Sequence, residues 1–481
     1  MGVLSGINNK KYLEFFEGLT RIPRGSGNEQ KVSDHLVQFA VDRGLEYVRD
    51  EANNVIIFKK GTAGYENSQT VILQGHMDMV NEKNNDTVHD FENDPLKLRI
   101  IDDFIYADGT TLGADNGIAV AYAMAILHSE DIPHPPLEVL ITTEEETGLK
   151  GATSLKKGLL KGTRLINIDS EEEGILIAGC AGGARVTHTM PVVYEKALGQ
   201  QVKISVTGLT GGHSGMDIDK IKGNSIKILG RVLYEISSLY PINVVSVQGG
   251  SKMNAIPREA MAVISINPNS KSQIENLVEK INFDIKNEIF TGDSGLKITC
   301  KYTDETEKQI DLQTSSRLLR FLMLIPSGVE SMSPDIEGLV MTSTNLGVMD
   351  TENDSVVFQS AVRSSMGSSK KNLLDVLSVL AKSFGTGFEI SSEYPQWEYS
   401  KTSELREKSK EVYKKLTGKE LEVKVLHAGL ECGILSEKTT DCDMISIGPD
   451  LYDVHTPNEH ISISSSERTY DFVLELLKEL K

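Results

Sequence analysis

The chain has 481 residues, more than one hydrophobic core usually organises, so two domains are expected. Its 39% hydrophobic and 25% charged residues are typical of a soluble globular protein, and no apolar stretch approaches the roughly 20 residues of a membrane span. The formal net charge of −19 disfavours nucleic acid as a partner, and a membrane partner is not expected either.

Residues 1–11 lack the basic-then-apolar order of a signal peptide, and Gly6 stands where a myristoylation motif needs Ser or Thr. These features predict a cytoplasmic protein. The chain's cysteines have no CxxC spacing, so neither a zinc ribbon nor a disulfide framework is indicated. We expect reduced thiols at Cys180, Cys300, Cys432 and Cys442.

Up to about residue 180, helix-period and strand-period segments alternate, which is typical of an α/β domain around a largely buried sheet. Helices are predicted at 9–22, 28–44 and about 116–129, and strands at 54–59, 70–75, 137–142 and 165–168. The carboxyl ends of such strands form the usual ligand-binding edge of an α/β sheet.

From about 185 to 392 the pattern changes to that of an α+β layer. Strands are predicted at 200–207, 243–249, 258–266, 296–301, 338–348 and 355–363, and helices at 219–239, 272–287, 313–324 and 369–384. The last 90 or so residues return to helix and strand patterns like those of the first part. We therefore predict a discontinuous first domain, 1–185 and 393–481, into which an α+β domain, 186–392, is inserted.

Imidazole and carboxylate groups follow the predicted strands of the first domain. They are His76 and Asp78, Asp115 at the start of a helix, Glu144 to Glu146, Asp169, and His455 near the C-terminus. Such groups hold zinc, manganese or cobalt beside an activated water, so the set suits a two-metal hydrolase.

Each of these residues also has an ordinary interpretation. Asp115 is well placed as a helix N-cap. The alternative interpretation of the three adjacent glutamates 144–146 is a solvated acidic turn. Their mutual repulsion, however, favours a bound cation. A single histidine such as His455 in a polar loop is usually incidental, so the argument that it is a metal ligand depends on the other residues of the set.

Six motifs in order make the chain resemble the M20 metallopeptidases and, within them, the aminoacyl-histidine (Xaa-His) dipeptidase branch. They are Gly75-His76-Met77-Asp78, Gly113-Ala114-Asp115-Asn116-Gly117, Glu144-Glu145-Glu146-Thr147-Gly148, Asp169-Ser170-Glu171, Gly211-Gly212-His213-Ser214-Gly215 and His455-Thr456-Pro457-Asn458-Glu459. The resemblance covers essentially the whole chain. It implies a catalytic α/β domain with a mostly buried mixed sheet and an inserted α+β lid domain.

The same resemblance implies two divalent metal ions per subunit, most often Zn²⁺, with Mn²⁺ or Co²⁺ as alternatives. Asp115 is implied to bridge them, with His76 and Asp169 completing one site. Glu146 and His455 complete the other site. The peptide bond Asp115-Asn116 matches a position that is cis in this family.

Catalytic and substrate-binding roles follow in the same way. Glu145 matches the general base and Asp78 the carboxylate behind the first histidine ligand. In the lid domain, His213 matches a residue that polarises the scissile carbonyl. The implied substrate contacts are His213, Asn254, Arg363, Gly429 and Glu431.

The implied activity is hydrolysis of dipeptides, including Xaa-His dipeptides such as β-Ala-His, by a homodimer. The alternatives within the family are an N-acyl amino acid deacylase and a tripeptidase. A non-catalytic binding protein is the alternative from another class. It is disfavoured because such a protein usually loses a ligand or the base, whereas this chain keeps all five ligand positions and Glu145.

Overall fold

The computed structural model describes residues 2–4, 6–7, 10–303 and 306–481, so Asn9, the first residue of the first predicted helix, lies outside them. The chain divides into two units. The first comprises Met1–Cys180, Tyr399–Leu426 and Leu430–Lys481, and the second comprises Ala181–Glu398 and His427–Gly429. The predicted α/β fold class is confirmed.

The first unit begins with helices and strands in alternation. In chain order they are α1 (Lys11–Leu19), α2 (Gln30–Asp42), β1 (Glu46–Arg49), β2 (Val55–Lys59), β3 (Val71–His76), β4 (Leu98–Ile101), β5 (Phe104–Ala107), α3 (Ala114–His128), β6 (Leu137–Thr142), α4 (Lys150–Ser154), β7 (Arg164–Ile168) and β8 (Ile175–Cys180). Each of the four strands predicted in this part lies within one residue of its predicted ends.

The second unit follows directly. Its elements are β9 (Gly182–Pro191), β10 (Tyr194–Lys196), β11 (Gln200–Thr207), β12 (Gly212–His213), α5 (Ser225–Leu239), β13 (Ile242–Gly249), β14 (Ala255–Ile256), β15 (Ala260–Ile266), α6 (Lys271–Asp293), β16 (Lys297–Tyr302), β17 (Lys308–Ile310), α7 (Leu312–Leu324), β18 (Gly328–Met332), β19 (Val340–Glu352), β20 (Ser355–Ser364), α8 (Gly367–Phe384) and β21 (Gly387–Tyr394). A short 3₁₀ turn, Pro268–Ser270, precedes α6.

The C-terminal part of the chain completes the first unit. It contains α9 (Glu404–Thr417), β22 (Glu422–Leu426), α10 (Glu431–Lys438), β23 (Asp443–Ile447), β24 (Leu451–Tyr452), β25 (His460–Ser462) and α11 (Ile463–Glu479). Its strands join the N-terminal ones, because β23 pairs with β7 and β25 pairs with β5.

The main sheet of the first unit has eight strands in the order β1-β2-β6-β3-β7-β23-β8-β22. Its centre is parallel, since β3 pairs in parallel with both β6 and β7, and β7 pairs in parallel with β23. Every residue of β3 and β6 is buried, which is why both strands are mostly apolar and do not alternate regularly between apolar and polar residues. Helix α3 is apolar around its circumference and is buried from Asn116 to Leu127, so it belongs to the core of this unit.

The large sheet of the second unit is antiparallel throughout. Its strands run β16-β11-β15-β13-β19-β20-β9-β21, and β18 pairs with β19 beside this path. Alternate residues of its strands are buried, and those residues pack with α5, α6, α7 and α8 in one hydrophobic core. The opposite face of β11, with Lys203, Ser205 and Thr207, lies outside that core.

Helix α5 begins at Ser225, six residues after its predicted start at 219. The side chain of Asn224 accepts hydrogen bonds from the N–H groups of Ile226 and Lys227, so it caps the helix at that point. Within the ranges that the structure describes, no helix combines the length and the apolarity needed to cross a bilayer.

Candidate metal centre

The carboxyl ends of β3, β6 and β7 meet at one edge of the first unit's sheet. His76 is the last residue of β3, and Asp169 directly follows β7. Glu145 and Glu146 lie in the turn that follows β6. These strands are neighbours and run in parallel, so residues far apart in sequence come together at this edge.

Asp115 reaches the same edge from the first turn of α3. Gly113 before it adopts a left-handed conformation, with φ of 66°, and the Asp115-Asn116 peptide bond is cis. The buried carboxylate of Glu459 accepts hydrogen bonds from four consecutive N–H groups of this turn, Leu112, Gly113, Ala114 and Asp115, at 2.7, 2.9, 2.8 and 3.3 Å. Hydrogen bonds from the backbone of this turn to Glu459 therefore fix the position of Asp115.

Two histidines contact different oxygens of the Asp115 carboxylate. His76 Nε2 lies 3.1 Å from Asp115 Oδ1, and His455 Nε2 lies 3.2 Å from Asp115 Oδ2. His76 Nε2 is also 3.5 Å from Asp169 Oδ1, and His455 Nε2 is 2.9 Å from Glu146 Oε1. The structure thus brings together all five residues that the sequence singles out as ligands, in two groups that share one carboxylate.

Asp78 is fully buried beside this cluster. Its Oδ1 lies 3.3 Å from His76 Nδ1, and its carboxylate accepts hydrogen bonds from Ser26 Oγ at 2.8 Å and from the N–H groups of Glu145 and Glu146 at 3.1 and 3.3 Å. Asp78 therefore links the orientation of the His76 ring to the turn that carries the two glutamates.

Arg24 is a second buried charge that holds the edge in place. Its guanidinium donates to the carbonyl oxygens of Met77 and Asp78 at 2.9 and 3.2 Å, and also to that of Gly113. Sequence reasoning missed both Arg24 and Glu459, although Glu459 closes one of the quoted motifs. An isolated charged residue in a polar segment carries no sequence signal that separates it from a surface residue.

The pKa values reflect negative charge crowded in a buried place. Burial opposes protonation of His76, but hydrogen bonds to Asp115, Asp169 and Asp78 outweigh it and raise its pKa well above the usual range. Hydrogen bonds to Asp115 and Glu146 raise the pKa of His455 to about 11. Burial raises the pKa of Asp169 to about 6, with the carboxylates of Asp115 and Glu146 adding to it.

This donor set fits divalent cations. Ligand atoms of His76, Asp115 and Glu146 all lie within 4.8 Å of one another. Carboxylates this close repel one another in a buried site unless positive charge offsets them, and here protonated histidines supply part of it. Mixed imidazole and carboxylate ligands suit Zn²⁺, Mn²⁺ and Co²⁺ alike.

Two further acids of the first unit, the half-buried Glu145 and the buried Glu431, lie beside these ligands. Burial raises the pKa of Glu145 well above its usual range, and the charges of Asp169 and Glu431 add to this. Glu431 has no exposed surface, and its Oε2 accepts hydrogen bonds from Thr142 Oγ1 at 2.6 Å and Gln74 Nε2 at 2.5 Å. Its burial, the main cause, raises its pKa to about 7.

The other predicted substrate contacts lie in the second unit. His213 Nδ1 accepts hydrogen bonds from the N–H groups of Gly215 and Met216 at 3.3 and 3.1 Å. Burial lowers the pKa of His213, and the positive charge of Arg363 lowers it further, so the ring is neutral. Asn254 lies next to this segment, because its carbonyl accepts a hydrogen bond from Ser214 N at 2.9 Å.

Arg363 and Gly429 lie near Tyr394. The guanidinium of Arg363 donates from Nη1 to Tyr394 Oη at 3.1 Å, while its buried Nε has no hydrogen-bond partner among the described residues. A Cβ on Gly429 would lie 2.8 Å from the Tyr394 ring. Sequence reasoning missed His427, which is buried here with its Nε2 2.7 Å from Ser343 Oγ.

Comparison with known proteins agrees with these motifs. Residues 72–479 match the peptidase family M20/M25/M40. The chain is 36% identical to the cytosol non-specific dipeptidase of Escherichia coli (strain K12), over 100% of this chain and 99% of the relative. It is 34% identical to the crystal structure of aminoacylhistidine dipeptidase from Vibrio alginolyticus, with a TM-score of 0.94, over 100% of this chain and 98% of that one.

A more distant solved structure shares the fold alone. It is aminopeptidase PepT from Bacillus cereus, at 16% identity and a TM-score of 0.57, with 98% of each chain covered.

Proposed function

The chain belongs to the peptidase family M20/M25/M40, and from that premise we propose that it is a metal-dependent dipeptidase with its catalytic centre at the edge of the first unit's sheet. One observation carries the proposal. The two oxygens of Asp115 face two different histidines, each of which has a further carboxylate beside it. This is the ligand arrangement of a two-cation site with one bridging carboxylate.

The residues that would hold the two cations follow from these contacts. His76 and Asp169 would hold one cation, Glu146 and His455 would hold the other, and Asp115 would contribute to both. When bound, two such cations lower the pKa of a water molecule and polarise the carbonyl of the peptide. We propose Zn²⁺ as the resident metal, with Mn²⁺ and Co²⁺ as alternatives that the same ligands accept.

Glu145 is the proposed general base. Its carboxylate lies among Asp169, Glu146 and Glu431, and these negative charges favour a carboxyl group that takes up a proton readily. Glu145 accepts a proton from the attacking water and donates it to the amine of the leaving group. Asp78 fixes the backbone of Glu145 through the N–H contact and so sets the position of this carboxylate.

His213 is the proposed donor to the carbonyl oxygen of the peptide. Because Nδ1 accepts hydrogen bonds from two backbone N–H groups, the single proton of the neutral ring lies on Nε2. This tautomer makes Nε2 a donor for the negative charge that develops on that oxygen.

We propose Arg363, with its unpartnered Nε, as the group that binds the carboxylate of the substrate, with Asn254 and Gly429 as further contacts. Glu431 acts differently in this proposal. It is fully buried and bonded to Gln74, two residues before His76 on β3, so it holds the strand end that carries this ligand. A direct substrate contact at Glu431 is thus less well supported than one at Arg363.

The substrates proposed are dipeptides, including Xaa-His dipeptides such as β-Ala-His. The support is the full-length similarity to proteins named as a cytosol non-specific dipeptidase and an aminoacylhistidine dipeptidase. For the same reason we propose that the protein works in the cytosol. We also propose a homodimer, since Phe283 and Phe290 are 66% and 61% exposed, seven residues apart on one side of α6.

The test is hydrolysis by protein loaded with Zn²⁺, Mn²⁺ or Co²⁺, with the bound metal counted by elemental analysis. The panel contains β-Ala-His, Gly-His, Leu-Gly, a tripeptide and an N-acetyl amino acid. Glu145→Gln is the active-site variant, and Glu144→Gln is its matched control, since the Glu144 side chain pairs with Lys150. We expect Glu145→Gln to lower kcat about 100- to 10,000-fold with two metals still bound, and Glu144→Gln to stay near the wild-type rate.

The other outcomes separate the alternatives. Cleavage of the acetylated substrate alone would move the protein to the deacylases, and cleavage of the tripeptide alone to the tripeptidases. No turnover of any substrate with two metals bound would refute the enzymatic proposal and favour a binding protein.

A further inference from the structure

The face of the second unit's sheet that lies away from its helices carries a row of polar side chains. On β11, Lys203, Ser205 and Thr207 alternate with the buried Ile204 and Val206. The strand register places Ser205 opposite Met261 on β15, and Met261 opposite Gln248 on β13. Residues that pair across strands share a face, so these three strands form one continuous surface.

A pocket of about 650 Å³ lies on this surface. Lys203, Ser205, Gln248 and Met261 contribute to its floor, and Lys252 and Arg258 also line it. Its volume falls within the range of sites that hold small molecules.

The pocket is positively charged, although the whole chain carries a net charge of −19. Lys203, Lys252 and Arg258 line it, against a single carboxylate, Glu259. In the described part of the chain, none of these three cations forms an ion pair or a side-chain hydrogen bond. Like charges gathered around one concave place repel one another, and a bound anion would offset that repulsion.

The neighbouring strand increases this charge. Lys301 on β16 stands directly opposite Lys203 in the register, and Lys297 stands opposite Thr207. Like charges directly opposite each other on adjacent strands destabilise a sheet. Asp350, which pairs with Gln248 on the other side, is the carboxylate of the same row. Cations therefore dominate the part of this face around Lys203.

We propose that this pocket binds a small polyanion, a molecule that carries two or more carboxylate or phosphate groups. Several cations around one cavity suit several anionic groups better than one. The negative charge of the chain as a whole disfavours nucleic acid as the occupant. The pocket is built from residues of the second unit and the proposed metal centre from residues of the first, so its binding of anions does not depend on the proposed peptidase activity.

The pocket also touches the segment that carries His213. Gly212, Ala255 and Ile256 line it, and β12 pairs with β14 through Gly212 opposite Ile256 and His213 opposite Ala255. A bound anion therefore contacts the short ribbon that positions His213. Its binding is expected to change the rate of any reaction in which His213 takes part.

The test is isothermal titration of the metal-loaded protein with inorganic phosphate and, separately, with tricarballylate, at constant ionic strength because salt screens the charges. The two probes distinguish a phosphate site from a carboxylate site. The variant is Lys203→Gln with Lys301→Gln. Its matched control, Lys60→Gln with Lys157→Gln, removes the same charge from two exposed lysines of the first unit. A metal centre also attracts anions, but both variants leave it unchanged, so the difference between them isolates the pocket.

We expect one site per chain, weakened roughly tenfold or more in the Lys203/Lys301 variant and unchanged in the control. Equal binding by all three proteins would overturn the proposal. So would the absence of binding of either probe up to about 10 mM, a concentration on the order of the Kd of a weak small-molecule site. Sedimentation of the same samples covers the remaining case. If the protein binds neither probe but loses self-association in the Lys203/Lys301 variant, the face is an interface with a second copy and the small-anion proposal is wrong.

Discussion

Substitution of Glu459 by Gln tests how the turn before α3 holds the metal ligand Asp115. In the structure, Oε2 accepts from the N–H groups of Leu112 and Gly113, and Oε1 accepts from those of Ala114 and Asp115. A glutamine amide keeps the shape but replaces one oxygen with an NH₂ group. Two backbone N–H groups then face a donor and lose their acceptor.

The magnitude follows from those two bonds. Hydrogen bonds to a charged group contribute about 1.5–3 kcal/mol each, so losing two costs about 3–6 kcal/mol. Part of this is offset, because burial and the nearby charge of Asp115 raise the pKa of Glu459 and disfavour its charged form. We expect a net loss of about 2–4 kcal/mol in the free energy that holds the turn closed.

Hydrogen exchange of the amides of residues 112–115 in metal-free protein measures this directly. Because each 1.4 kcal/mol is a factor of ten, exchange should become roughly 30- to 700-fold faster in the variant. Metal affinity should fall about 10- to 100-fold, as it does when groups that orient ligands are removed. Glu92→Gln on the exposed surface is the control. Unchanged exchange at residues 112–115 in Glu459→Gln would show that the carboxylate does not hold the turn.

Two further predictions concern the second unit and the metal ligands. A Cβ added by Gly215→Ala would lie 2.5 Å from the His427 carbonyl oxygen and 3.2 Å from His213 Cε1. We therefore expect the segment that carries His213 to shift and kcat to fall. The metal content, measured by elemental analysis, should stay the same. The pKa of both His76 and His455 is raised, the latter to about 11, so both rings are protonated at neutral pH without metal and must lose a proton to bind it. Metal affinity should therefore rise with pH. Calorimetry in buffers of different ionisation enthalpy should show about two protons released per chain when the metal binds at pH 7. Release of no proton would contradict the raised pKa of the two histidines.

The parts of the fold that the sequence predicts well are those with a strong local pattern. The strands β3 and β6 are mostly apolar and are buried at every position, and their ends match the prediction within one residue. Three of the ligand residues, His76, Glu146 and Asp169, could be proposed because each lies at or just after the end of a predicted strand. Convergence at one edge is then a consequence of parallel strands.

Other parts depend on contacts that leave no local pattern. Strand β8 ends and strand β9 begins in a run of small residues, Ala178 to Ala184, which has neither clear helical nor clear strand periodicity. The buried charges of Arg24 and Glu459 stabilise backbone segments from 53 to 347 residues away. Such a role is decided by tertiary structure, so no reading of the neighbouring residues predicts it.

The assignment of residues 427–429 to the second unit affects how the chain can be divided. Ala428 O accepts a hydrogen bond from Ala181 N, and His427 Nε2 contacts Ser343 Oγ, so both contacts lie within the second unit. A fragment cut out as residues 181–398 would lack both partners and would leave a buried hydroxyl unsatisfied. The second unit is therefore not a single continuous segment that can be moved by itself. Exchanging it between relatives requires four junctions to be matched, because the short segment 427–429 must be transferred along with residues 181–398.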